Sequence, residues 1–109
     1  MYQVKTTGVF EKNVKKLSKK YRHIKKDFSP VLEKLESGQL VGDPVAGFQN
    51  RIFKARVPSS DQKKGKSGGF RLIYYFILEG KTIFLLSMYA KAKQSNIKKS
   101  EIQRILDSL

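Results

Sequence analysis

The sequence has no cysteine and a single histidine, His23. Without cysteine there is no disulfide scaffold, no zinc ribbon and no thiol nucleophile, and one histidine excludes nearly every metal site built on two. Acidic residues are scarce as well: nine Asp and Glu face twenty-three Lys and Arg, a formal net charge of +14 at pH 7. Long apolar runs are missing too. The longest, Leu72 to Leu78, is too short to span a bilayer, and Met1 to Gly8 holds no apolar leader, so a cytoplasmic chain without membrane contact is expected.

What is present is enough to fold. Its 109 residues are one domain's worth of chain, and a single domain over residues 1–109 is expected. Hydrophobic residues at 39%, with seven Phe and five Tyr, supply a core despite the 29% that are charged. The excess of positive charge favours a polyanionic partner, nucleic acid before an acidic protein or an anionic membrane.

Phe10, Val14, Leu17, Tyr21, Ile24 and Phe28 recur at intervals of four and three, which places them on one stripe of an amphipathic helix. Lys12, Lys15, Lys16, Lys19, Lys20, Arg22, Lys25 and Lys26 fill its outer surface. Ser29 is suited to an N-cap and Pro30 to the first position of a second helix, whose stripe is Val31, Leu32 and Leu35 and whose stop is Gly38. A Gly- and Pro-containing loop from Val41 to Asn50 follows, anchored by Phe48. Alternation over Arg51 to Val57 then sets Phe53, Ala55 and Val57 on one face of a strand and Ile52, Lys54 and Arg56 on the other. Phe70 to Leu78 and Thr82 to Ala90 read as an antiparallel hairpin turned by Glu79-Gly80, with an edge strand near Tyr2 to Lys5 and a closing helix capped by Ser95 or Asn96. That helix carries Ile97, Ile102, Ile105, Leu106 and Leu109 on one side.

Gly65-Lys66-Ser67 invites a phosphate-loop reading, but Ser60 stands where the motif needs glycine, and a strand rather than a helix follows. Arg71 is the most informative residue. It sits just inside an apolar strand after Gly68-Gly69, on the face of Ile73, Tyr75 and Ile77, where Lys54 and Arg56 join it if the two strands pair. Strand arginines often pair only with a carboxylate, yet this chain has few acids to offer. Lys63, Lys64 and Lys66 in the loop before the glycines, with Tyr89, Lys91 and Lys93 where the chain leaves the last strand, add candidates for holding RNA. His23 lies off the apolar stripe among lysines and is expected to lack a nearby carboxylate, so it is not chosen as a catalytic base.

Lys54-x-Arg56, the run from Gly65 to Tyr74, and Leu85-Leu86-Ser87-Met88-Tyr89-Ala90-Lys91 together resemble the RelE/ParE superfamily of bacterial toxin–antitoxin toxins, nearest to its HigB/RelE branch. The resemblance implies an α+β fold, two N-terminal helices packed on a twisted, mainly antiparallel sheet with a C-terminal helix. It implies cleavage of messenger RNA on the translating ribosome, and a cognate antitoxin as partner, acidic and DNA-binding. Lys54, Arg56, Arg71 and Lys91 are the positions it carries over as catalytic. Ile52 stands where some RelE toxins have a further lysine, and Gln94, Ser95 and Asn96 where some have a tyrosine.

Such a cleavage calls for no metal or cofactor, because RNA brings its own nucleophile in the 2′-hydroxyl. Guanidinium groups bind two phosphate oxygens at once, and Lys54 or Lys91 could serve as base if neighbouring cations favour its neutral form. Three alternatives stay open: a ParE-like DNA gyrase inhibitor, a basic RNA-binding module without catalysis, and a scaffold role.

Overall fold

The computed structural model describes residues 1–62 and 68–109. Five strands form one sheet in the order β1-β5-β4-β3-β2: β1 (Gln3–Thr6), β2 (Asp43–Pro44), β3 (Ile52–Val57), β4 (Phe70–Ile77) and β5 (Thr82–Ala90). β1 runs parallel to β5 and the other pairs are antiparallel. Helices α1 (Gly8–Ser18) and α2 (Ile24–Glu36) cover one face, and α3 (Lys99–Asp107) lies on the other. This is the expected α+β architecture.

Strand alternation sorts the side chains between two cores. Ala55, Val57, Phe70, Leu72 and Tyr74 point to the helical hairpin and pack with Phe10, Tyr21, Ile24, Val31 and Leu35. Ile52 and Ile73 point the opposite way, to Ile97, Ile102 and Ile105. In β5 the register slips where Ile73 pairs Ser87 but Tyr74 pairs Leu85. This bulge reverses the phase of the strand, so that Met88 and Ala90 join Ile83 and Leu85 while Leu86 and Tyr89 turn to the α3 side.

The helical hairpin divides elsewhere than expected. The stripe from Phe10 to Phe28 belongs to two helices, parted at residues 19–23, and Pro30 sits inside α2 rather than at its start. The stripe survives because the turn keeps the three-residue spacing, Tyr21 lying over Phe70 edge to face at 5.1 Å. His23 stands at the N-cap of α2 and, against the expectation that it lacks a nearby carboxylate, meets Asp61 from across the chain. The carboxylate accepts from its N–H at 2.9 Å and lies 2.7 Å from its ring Nδ1. Pro30 removes one intrahelical donor on an exposed turn, where water replaces it at least cost. Thr7 caps α1 by accepting from Phe10 N at 3.1 Å. Gly38 ends α2 as expected, at φ +89°. For α3, neither Ser95 nor Asn96 is the cap: Lys98 holds that position without a side-chain bond, and the Asn96 amide oxygen turns back to Ile97 N at 2.9 Å. No helix among the described residues is long and apolar enough to cross a membrane.

Candidate active-site cleft

Arg56 and Arg71 are directly opposite each other in the β3–β4 ladder, and Lys54 pairs with Ile73 two residues along. All three side chains leave the sheet on the α3 side, beyond the part that α3 covers. With Lys91, which follows β5, they line a cleft of about 850 Å³ whose other wall is Val41, Gly42 and Asp43. Like charges opposed across a ladder destabilise a sheet. No described carboxylate comes within ion-pair distance of Lys54, Arg56 or Lys91.

Each cation is held differently. Arg71 is 7% exposed, and its Nη1 donates to the carbonyls of Gly68 at 3.1 Å and Phe70 at 3.2 Å. Arg56 is exposed and Lys54 half-buried, with Lys54 Nζ 3.4 Å from the Asn96 amide oxygen. Lys91 Nζ donates to the Ser95 carbonyl at 2.8 Å, while its backbone N–H continues the ladder to Gly69 O at 3.0 Å. Of the glycine pair that precedes Arg71, Gly69 has the geometry expected: its φ is +74°, and a Cβ there would lie 2.5 Å from Val57 O.

Asp43 is the residue that sequence reasoning missed. It pairs with Lys54 in β2, a strand of two residues too short to leave a pattern, and it is the one carboxylate lining the cleft among the described residues. Gly42 makes the approach possible, since at φ +86° a Cβ would lie 2.3 Å from Lys54 O. Tyr74 secures the same segment by donating its hydroxyl to Val41 O, and burial pushes that phenol's pKa well up.

The other candidates fall elsewhere. Tyr89 pairs with Arg71 across β4–β5 but is only 6% exposed, and its hydroxyl has no hydrogen-bond partner among the described residues. Burial raises its pKa and the charge of Arg71 opposes the rise. Tyr89 and Lys93 border a separate concavity of about 510 Å³ beside α1, with Lys16 and Lys20. Lys63, Lys64 and Lys66 lie outside the described residues. No three His, Asp or Glu side chains converge as a metal site would require, among the described residues.

Residues 7–107 match the family model for the RelE toxin of the RelE/RelB toxin–antitoxin system. The fold is similar to that of a double arginine-to-alanine mutant of Escherichia coli toxin RelE in the free state, with TM-score 0.61 and 20% identity over 99% of this chain and 97% of that one. The intact E. coli RelBE toxin–antitoxin complex matches with TM-score 0.56 and 25% identity over 81% and 94%. A conserved hypothetical protein of Helicobacter pylori, solved in solution, matches with TM-score 0.59 and 19% identity over 94% and 99%.

Proposed function

The chain belongs to the RelE toxin family, and from that membership together with the cationic cleft we propose that it is a toxin that cuts messenger RNA on the ribosome. The observation that carries the proposal is the opposition of Arg56 and Arg71 in one ladder, on a cleft that also holds Lys54, Lys91 and Asp43. A phosphate is the counter-charge such a cleft suits, and RNA supplies one next to a latent nucleophile.

In the proposed reaction the 2′-oxygen attacks the adjacent phosphorus as its proton passes to a basic group, and the bond from phosphorus to the 5′-oxygen breaks. The leaving oxygen collects a proton. The products are a 2′,3′-cyclic phosphate and a free 5′-hydroxyl. Arg56 and Arg71 neutralise the charge that grows on the phosphorane, where preorganised donors contribute about 3–4 kcal/mol each. Asp43, on the cleft wall beside the cations, is the acceptor placed to take the 2′-proton, and the amine of Lys54 or Lys91 a donor placed to return one.

As in the RelBE complex, where toxin and antitoxin are found together, the partner is a cognate antitoxin. An acidic one that covers Arg56 and Arg71, or moves an element framing them, would silence the cleft. The chain from Met1 to Leu109 acts in this reading as one cytoplasmic domain. The test is a translating ribosome with a defined messenger: cuts with the end groups above are expected, and hydrogen in place of the 2′-hydroxyl at the cut site should abolish them. An intact messenger after incubation with the folded chain overturns the reading. Arrested replication with gyrase-linked DNA breaks would favour a gyrase inhibitor instead.

A further inference from the structure

The loop between β3 and β4 is closed at its neck by side chains. On the outgoing limb, the Asp61 carboxylate accepts from the His23 N–H at 2.9 Å and lies 2.7 Å from the His23 ring Nδ1. Asp27 Oδ2 accepts from Ser60 N at 2.8 Å and from its hydroxyl at 3.1 Å. The first turn of α2 thus holds this limb in two places. Gln62 then reaches across, its Oε1 accepting from Gly69 N at 2.7 Å on the returning limb.

The N–H of Gly69 and the carbonyl of Gly68 are two ends of one planar peptide. Gln62 binds the first at 2.7 Å and Arg71 Nη1 binds the second at 3.1 Å. In a trans peptide these groups point in opposite directions, so the direction of one sets the other. The flanking residues are both glycine, whose backbone turns over with little steric resistance. An external grip is what such a peptide needs to keep one orientation.

We propose that Gln62 is a positioning residue for Arg71: by gripping the Gly68–Gly69 peptide it aims one of the carbonyls that hold the guanidinium on the cleft. Asp61 and Asp27 brace Gln62 against α2. The catalytic arm of the test rests on the nuclease reading; the positional arm does not.

Gln62→Leu removes the acceptor at similar size, and Gln62→Glu retains one. In Gln62→Leu the Arg71 guanidinium NMR signals should broaden or move and Gly69 amide exchange should quicken, both recovering in Gln62→Glu. Unchanged Arg71 signals in folded Gln62→Leu overturn the inference, whatever the chain does to RNA. In cleavage, Gln62→Leu should lower kcat roughly tenfold to a hundredfold, the cost of a small misplacement, with KM nearly constant. The same change made in Arg71→Ala should cost nothing further, because its effect passes through Arg71. Additive losses, or full activity in Gln62→Leu when the parent chain cuts RNA, also overturn it. A parent chain that cuts no RNA removes the nuclease reading alone, and the Arg71 signals still decide this one.

Discussion

Arg71 is buried on the cleft and stands opposite Arg56 in the ladder, so one phosphate bound there would meet both guanidinium groups. Arg71→Ala should therefore lower cleavage by about two to three orders of magnitude while the fold and most ribosome affinity persist. Arg71→Lys should recover only part of the rate, since an ammonium lacks the guanidinium fork. Full activity in folded Arg71→Ala would remove its role. For Asp43, the isosteric Asp43→Asn should slow cleavage roughly a hundredfold, as loss of a general base does, without weakening RNA binding. Weaker binding with an unchanged rate would instead make Asp43 a structural contact.

Among the elements, β2 and the α2 terminus are the two whose attachment shapes the cleft. At Gly42, any side chain meets the Lys54 carbonyl. Gly42→Ala is expected to cost about 1–3 kcal/mol in chemical denaturation, the range for forced backbone strain. A loss of a few tenths would mean that β2 simply moves aside. The His23 contact makes a pH prediction. The His23 ring, then the His23 backbone N–H, hold the Asp61 carboxyl below its ordinary value of 3.8. A carboxyl depressed in the folded state stabilises above its unfolded pKa, and that contribution is lost as pH falls through the folded value. The native chain should thus lose more stability on acidification below about 3.8 than Asp61→Asn does. Parallel acid unfolding curves would show that the contact contributes nothing.

At the scale of the molecule, the net charge of +14 is spread over the exposed lysines of α1 and α2 as well as the cleft. Long-range attraction to RNA should exceed what the cleft alone provides. Ribosome affinity is expected to fall steeply and linearly on a log–log plot against salt, and replacing Lys12, Lys15, Lys19 and Lys26 together should flatten that slope while leaving the chemical step unchanged. Equal slopes for the two chains would confine binding to the cleft.

The sequence alone determined which residues line each strand face, because alternation is a local property with a period of two. Within one strand Lys54 and Arg56 fall opposite Phe53, Ala55 and Val57, and within the next Arg71 falls opposite Phe70 and Leu72, before any pairing is known. It also determined the charge and the glycine turn before Arg71. Tertiary structure decided what depends on partners distant in the chain. The register that opposes Arg56 to Arg71, the bulge that turns Tyr89 to their face, and the two-residue strand that delivers Asp43 leave no periodic trace. The break between α1 and α2 contains neither glycine nor proline, and the N–H of its last residue, His23, is met by Asp61, thirty-eight residues beyond. Local periodicity encodes a face; only long-range hydrogen bonds choose which faces meet and where a helix begins.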